Sequence, residues 1–285
     1  MKSVLVTGGV GFVGTNLIRR LLNEGCQVIS VDNYEVGTVE NEHDGATYLQ
    51  FDVRDDLFTA LQPYDIDVVY HLAALSRIQP SFENPTETVE VNTNGTLSVL
   101  EWARSRNIKV IYAGSSSRWH NPFISPYALS KHMGEELCKT YRTIYNMEIE
   151  ITRFYNVYGP REITEGDWAA VIGKWRGQVE RGELITIVGD GEQRRDFTHI
   201  DDIVDGLIRI GQSNERHHDA WELGTGNNYS LNEVYHMFRD KFKVGFIRLP
   251  DQQGNYKETR RENNDAVDRL GWVPNDRLRE YINNL

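Results

Sequence analysis

Cysteine is scarce in this chain, with two residues in 285, Cys26 and Cys138. So few cannot build a disulfide framework, and no cysteine or histidine cluster has a metal-ligand spacing, so no metal site is expected. Both cysteines lie in apolar, regular-looking stretches, which predicts packed free thiols. Long apolar runs are missing as well, so no bilayer-spanning helix and no membrane partner are expected. Nor is a secretory leader expected, since Met1-Lys2 passes directly into strand-like residues, and a soluble, cytoplasmic protein is the expectation. Basic residues are outnumbered, 31 Lys and Arg against 42 Asp and Glu, for a net charge of −11. Such an acidic chain is a poor nonspecific binder of nucleic acid. Any anionic ligand would therefore have to be met by a local basic cluster. Repeats, low-complexity tracts and long linkers are absent. The length suits one large α/β unit, or a core with a smaller appendage.

What is present is concentrated near the N-terminus. Residues 3–7 read as a short buried strand. Gly8, Gly11 and Gly14 follow with G-x-x-G-x-x-G spacing, and Leu17, Ile18, Leu21 and Leu22 mark an apolar helix beyond them. Glycine permits a tight turn and lets backbone N–H groups approach a pyrophosphate, to which the helix N-terminus adds a partial positive charge. A second strand, Val28 to Val31, ends in Asp32, eighteen positions after Gly14. That is near the spacing at which a carboxylate reaches a ribose 2′-hydroxyl. An Asp there would repel a 2′-phosphate, so the pattern favours NAD over NADP.

Further strands are expected at 46–51, 67–72 and 108–113, alternating with helices at 55–63 and 86–106. Asp52 and Val53 follow the third strand, and His71 to Ala74 close the fourth. Asn92 and Asn94 interrupt the apolar surface of the long helix, and a buried amide there wants a partner, such as the loop under the cofactor. Nearly continuous apolar strands alternating with helices indicate a parallel sheet covered on both faces. The fifth strand runs into Gly114-Ser115-Ser116-Ser117. Beyond a short loop, Tyr127 and Lys131 stand four apart on one helical face. A lysine ammonium beside a phenol favours the phenolate, which makes Tyr127 a candidate general base.

With these motifs in place, the chain resembles the extended short-chain dehydrogenases/reductases of the NAD-dependent nucleotide-sugar epimerase/dehydratase family. It is most similar to UDP-sugar 4-epimerases. The likeness covers nearly the whole length. It includes Thr7 to Gly14, Asp32-Asn33, Asp52-Val53, His71-Leu72-Ala73-Ala74, Val91-Asn92, the serine cluster and Tyr127-x-x-x-Lys131. Further on it takes in Arg153 to Arg161 and Gly189 to Asp202. The resemblance implies an α/β fold: a Rossmann-type doubly wound parallel sheet with a smaller α/β substrate-binding domain. Residues 1–160 would bind NAD, with a later segment at about 196–228 returning to that domain. Residues 161–285 would mainly bind substrate. By position, Phe12 and Val13 would offer amides to the pyrophosphate. Asp32 and Asn33 would hold the adenosine ribose, and Asp52 and Val53 the adenine. Leu72, Ala73 and Ala74 would line the cofactor channel, with Asn92 also on the cofactor side. Lys131 would hold the nicotinamide ribose and Tyr155 would lie near the nicotinamide. Ser115, Tyr127 and Lys131 would be catalytic. Ser115, Ser116, Ser117, Asn156 and Arg195 would bind the sugar nucleotide, Asn156 and Arg195 at its diphosphate. A homodimer packed through helices 86–106 and 127–145 is also implied.

Three departures bear on the chemistry. The segment Arg118 to Pro126 is short where the family carries a longer loop over the sugar, and His120 there reads as a solvated loop residue. Ser116 and Ser117 stand where 4,6-dehydratases place an Asp-Glu pair, and the Glu usual in UDP-glucuronate decarboxylases is missing too. The second arginine expected near 249–255 is absent, with Lys257, Arg260 and Arg261 as the nearby basic residues. The expected activity is 4-epimerisation of a UDP-sugar of the glucose/galactose type through a transient 4-keto sugar. The alternatives are a dehydrogenase or reductase, decarboxylase or dehydratase of the same family, and less favourably a non-catalytic nucleotide-binding protein.

Overall fold

The computed structural model describes residues 2–285. Seven strands form one sheet whose neighbours are all parallel. They are β1 (Ser3–Thr7), β2 (Gln27–Asp32), β3 (Ala46–Gln50), β4 (Val68–His71), β5 (Lys109–Ser115), β6 (Ile149–Phe154) and a last strand, Trp221–Leu223. Across the sheet the order is Trp221–Leu223, β6, β5, β4, β1, β2, β3. The winding therefore reverses between β1 and β4. In an open parallel sheet the crevice at that switch point, beyond the strands' C-terminal ends, is where ligands bind.

Successive side chains of a strand point to opposite faces, and here they divide between two cores. Val4, Val6, Val28 and Tyr70 join Leu17, Ile18, Ile203, Leu207 and Trp272. Leu5, Ile29, Val69 and Val110 join Leu100, Trp102, Cys138 and Tyr141. Cys26 and Cys138 form no disulfide and are buried in opposite cores. A third core unites Tyr158, Ile172, Trp175, Ile187, Phe197, Val234, Phe238 and Ile282. It surrounds a parallel pair of strands, Ile185–Val188 with Phe246–Leu249. The helix Leu231–Phe242 packs there, opened by a complete capping box of Ser230 and Glu233. Among the described residues no helix is long and apolar enough to cross a membrane.

Two helices differ from expectation. The one expected at 55–63 is a single turn, Leu57–Ala60, capped by the Asp56 carboxylate. Pro63 disfavours helical backbone at Gln62, so the turn does not propagate. The long helix at 86–106 begins at Pro85 and contains a π turn: Pro85–Val89, then Glu90–Asn94, then Gly95–Arg106. A π turn inserts an extra residue into the spiral, a device frequent at functional sites. Asn92 lies in that turn and is buried.

Candidate active site

A cavity of about 570 Å³ opens along the C-terminal ends of the strands. Because β3 and β2 lie on one side of the switch point and β5 and β6 on the other, Asp32 and Asp52 line one end and Ser115, Tyr127 and Asn156 the other.

The glycine turn is built for close approach. Gly8 has φ +73°, and a Cβ there would sit 2.8 Å from the Ala73 nitrogen. A Cβ at Gly14 would sit 2.1 Å from the Gly8 carbonyl oxygen. The helix Phe12–Asn23 starts at Gly11 with no side-chain cap, so its first N–H groups are free for an anion. Gly11, Phe12, Val13 and Gly14 all line the cavity. At the next strand end, Asp32 accepts hydrogen bonds from Val10 N at 3.1 Å and Tyr34 N at 2.9 Å. Burial pushes its carboxyl up, and the two N–H donors oppose that shift. Asn33 Nδ2 donates to Asp52 Oδ2 at 3.1 Å. Asp52 also pairs with Arg54 at 2.9 Å, and that bond holds its carboxyl below the usual range. These groups and Val53 fit an adenosine, as the uncapped turn fits a pyrophosphate.

The opposite wall is held by a relay of hydrogen bonds. Thr96 Oγ1 donates to Asn92 O at 2.7 Å, which leaves its oxygen to accept from His71 Nε2 at 3.0 Å. The other ring nitrogen, Nδ1, then accepts from Thr7 Oγ1 at 2.8 Å. Thr7 Oγ1 in turn accepts from Ala73 N at 3.2 Å. This tautomer is assigned from the network. Burial, with Lys131 nearby, lowers the His71 pKa to about 3, so the ring stays neutral. The relay fixes the backbone of Leu72, Ala73 and Ala74, which lines the cavity.

Ser125 caps the helix Pro126–Tyr145 through Ala128 N at 3.1 Å, which pins Tyr127 in its first turn. The Tyr127 hydroxyl donates to Ser115 Oγ at 3.2 Å. One turn on, Lys131 Nζ donates to Ala113 O at 2.5 Å and lies 4.8 Å from the centre of the Tyr112 ring. Burial lowers the Lys131 pKa to about 8. The expected acidification of Tyr127 by Lys131 is corrected here. Burial raises the phenol's pKa, and the influences that oppose it are the Ser115 hydrogen bond and the Arg77 guanidinium.

Ser115 and Ser116 line the cavity, whereas Ser117 is buried outside it. Asn156 lines it with its amide donating to Thr259 Oγ1 at 2.9 Å. Arg195 lines it too, and among the described residues only the Arg194 carbonyl accepts from its guanidinium, at 2.9 Å. Its sequence neighbour Asp196 instead accepts from Thr225, Gly226 and Arg261. No carboxylate lies within 4 Å of Arg195 among the described residues, and burial lowers its pKa to about 10.

Four placements differ from the sequence reading. Tyr155 is fully buried, with its hydroxyl donating to Glu222 Oε2 at 3.1 Å; strand alternation turns Phe154 into the cavity instead. The Asn92 side chain does not itself line the cavity; its amide is bonded to Ser130 and to both backbone groups of Leu75, which does line it, so it props that loop as its buried amide led one to expect. His120 is not a solvated loop residue: it stacks on Tyr256, with ring centres 4.0 Å apart and planes 13° from parallel. Arg260 and Arg261 turn to the carbonyls of Gly226 and Gly224 rather than to the cavity. Arg77, Trp168, Lys174 and Tyr256, which sequence reasoning missed, all line it. No local motif marks them. Among the described residues, no group of three or more His, Cys, Asp or Glu side chains is arranged to hold a metal ion.

This arrangement has counterparts. The family model described as the NAD dependent epimerase/dehydratase family matches residues 4–224. A putative UDP-glucose 4-epimerase of Methanocaldococcus jannaschii is 33% identical, over 98% of this chain and 95% of its own. UDP-glucuronic acid decarboxylase 6 of Arabidopsis thaliana is 28% identical, over 98% of this chain and 86% of its own. The UDP-glucose 4-epimerase of Thermus thermophilus, solved in complex with NAD, matches with a TM-score of 0.90 at 26% identity, covering 99% of this chain and 96% of that one.

Proposed function

The chain belongs to the NAD-dependent epimerase/dehydratase family and uses NAD; from that premise we propose that it is a nucleotide-sugar 4-epimerase of the UDP-glucose/UDP-galactose type. The observation that carries this reading is the hydrogen bond from Tyr127 to Ser115 at 3.2 Å on the cavity wall. Among the described residues, the two that follow Ser115 are Ser116 and Ser117 rather than acids, and the acidic residues lining the cavity are Asp32, Glu35, Asp52 and Asp167. NAD, when bound, supplies an acceptor and later a donor for the hydride at C4 of the sugar. Tyr127 takes the proton from the 4-hydroxyl and Ser115 hydrogen-bonds the same oxygen, steadying the alkoxide as it forms. Arg195 and Asn156 hold the diphosphate while the 4-keto sugar turns over and presents its other face. Tyr127 then returns the proton. Arg195 suits this task because its guanidinium has no carboxylate partner and is always charged.

Lyase readings draw support from the relatives named as decarboxylases. They lack the acid that the resemblance associates with that chemistry, since the acidic lining residues are Asp32, Glu35, Asp52 and Asp167. Incubation of the purified protein with UDP-glucose or UDP-galactose tests the proposal. Interconversion of the two, with the cofactor retained and no net NADH formed, is the expected result. Net reduction of NAD would instead assign a dehydrogenase. We also read the protein as a homodimer. Leu97 on one helix and Met133, Ile144 and Tyr145 on its neighbour are exposed apolar side chains. Sedimentation of Ile144→Asp should show a monomer where the parent protein shows a dimer.

A further inference from the structure

The uncapped turn that fits the cofactor pyrophosphate has a cover. Residues 33–45 connect β2 to β3 and fold back across the glycine turn. Val36 and Gly37 line the cavity together with Gly11 and Phe12. A Cβ at Gly37 would sit 2.3 Å from Val10 O, and Asn41 Nδ2 donates to that same oxygen at 2.8 Å. The segment is also closed on itself, because the Tyr34 hydroxyl donates to Glu42 Oε1 at 2.5 Å. Near its two ends, Tyr34 and Gly45 have φ +63° and +96°. A few residues at the ends of a closed loop are where it can swing as a unit.

The residue that fastens this cover comes from about 120 positions further along the chain. Arg161 lies a few residues past β6, just ahead of Ile163, Gly166, Asp167 and Trp168, which line the same cavity. Asn16 Nδ2 donates to Pro160 O at 3.0 Å and to Phe12 O at 2.9 Å, which docks the segment on the first turn of the helix Phe12–Asn23. Arg161 itself has φ +67°, a region unfavourable to a residue with a Cβ. In that conformation its Nη1 donates to Glu40 O at 3.1 Å and to Asn41 Oδ1 at 3.3 Å, with Thr15 Oγ1 at 3.4 Å. It makes no ion pair among the described residues, so these are the acceptors its charge is given to. Asn41 is thereby held from three sides. Its Oδ1 meets Arg161, its Nδ2 meets Val10 O, and its carbonyl accepts from Thr15 Oγ1 at 2.6 Å.

We infer that Arg161 is a positioning residue for the cofactor: it latches the segment 33–45 over the pyrophosphate site and thereby sets how slowly NAD leaves. For NAD to depart past Val36 and Gly37 the cover must lift, and lifting it breaks the Arg161 bonds. A resident cofactor is what a self-recycling reaction needs, since the hydride must return to the sugar that gave it. The latch itself rests on NAD binding at the glycine turn and goes beyond the epimerase reading.

Exchange of radiolabelled NAD on the purified protein against excess unlabelled NAD, with no sugar nucleotide present, tests it. Arg161→Asn removes the guanidinium with a residue that tolerates the same positive φ. Dissociation should be faster by about tenfold or more, the worth of one charged hydrogen bond. Association of NAD with cofactor-stripped protein should be no slower, because entry also needs the cover open. Arg161→Lys keeps the charge on a single nitrogen, and its dissociation rate should fall between those of the parent and Arg161→Asn. Melting temperatures of the cofactor-free proteins establish folding. Should Arg161→Asn not fold, the Lys variant decides on the same two rates. An unchanged dissociation rate in a folded variant overturns the inference. So does faster dissociation joined to slower association, which marks a distorted site and not an opened latch. The sugar chemistry is scored separately. Faster NAD release in Arg161→Asn from a protein that does not interconvert UDP-glucose and UDP-galactose upholds the latch and overturns the epimerase. Interconversion by the parent with unchanged release in the variant does the reverse.

Discussion

Asn92 holds Leu75 by both its backbone groups: Asn92 Oδ1 accepts from Leu75 N at 2.8 Å and Nδ2 donates to Leu75 O at 3.0 Å. The remaining amide hydrogen goes to Ser130 Oγ at 2.8 Å, and Ser130 Oγ donates to Tyr127 O at 2.9 Å. One side chain thus ties the segment after β4 to the helix that carries Tyr127. Asn92→Ala would strand two buried backbone groups and one hydroxyl. Such losses cost about 1–3 kcal/mol for each unsatisfied group. The expected outcome is a melting temperature lower by several degrees in calorimetry, with weaker retention of NAD. An unchanged melting temperature would show that the clamp contributes nothing.

Tyr127→Phe removes the proton acceptor and keeps the ring. Turnover should fall by roughly 10²–10⁴, the usual worth of general acid–base catalysis, while the NAD content of the purified protein stays near that of the parent. Ser115→Ala is the informative companion. The Ser115 hydrogen bond is the larger of the two influences that pull the Tyr127 pKa back from the rise caused by burial. The reaction needs the phenolate, so activity is lost as pH falls. Without Ser115 that acidic limb should move to higher pH. A limb that stays in place in the kcat/KM profile would remove Ser115 from the tuning of Tyr127.

The first five strands of the sheet, their parallel sense and the glycine turn were legible in the sequence because their signals are local. Most of those strands are short apolar runs, and Gly14 has a steric reason visible in its spacing, whereas β6, in which Glu150, Thr152 and Arg153 interrupt the apolar residues, was not read as a strand. The wall beyond β4 was not legible. Arg77, Trp168 and Tyr256 come from three separated segments, and only tertiary folding brings them to one cavity. The exchange of Tyr155 for Phe154 has a simpler cause. Tyr155 was placed near the nicotinamide by resemblance alone, and neighbouring residues at a strand end face opposite ways, so that here Phe154 lines the cavity. The π turn at Glu90–Asn94 was hidden for the opposite reason. Its residues fit an ordinary helix, and the anomaly lies in the hydrogen-bond spacing.

The Asp32 carboxylate should make the site selective for NAD over NADP, because a 2′-phosphate would be placed against it and the nearby basic residue, Arg54, is already paired with Asp52 and Glu87. Titration of cofactor-stripped protein should show NADP binding at least about tenfold more weakly, the order expected for a charge-assisted hydrogen bond exchanged for like-charge repulsion. Asp32→Ser should narrow that ratio. The ratio is the readout, because the same substitution also releases Val10 N and Tyr34 N and weakens both cofactors together. Equal affinities in the parent protein would refute the assignment.

Glu162 makes stability depend on pH. It is buried, and Arg176 approaches it only to 3.7 Å while its Oε2 has no partner. The helix Val171–Glu180 packs so closely there that a Cβ at Gly173 would sit 3.0 Å from Glu162 Cγ. Burial therefore outweighs Arg176 and raises the carboxyl pKa from 4.5 to about 7. The folded state holds a proton across a window in which the unfolded chain releases it. Below about pH 4.5 the group leaves stability unchanged. As pH rises from there to about 7 it removes stability progressively, by roughly 3 kcal/mol in all at about 1.4 kcal/mol per unit, and above 7 the loss is constant. Glu162→Gln imitates the protonated form. Denaturant unfolding should find it equal to the parent near pH 4 and more stable by up to about 3 kcal/mol at pH 8. A variant less stable than the parent at pH 8 would mean that the ion pair with Arg176, and not burial, governs the site.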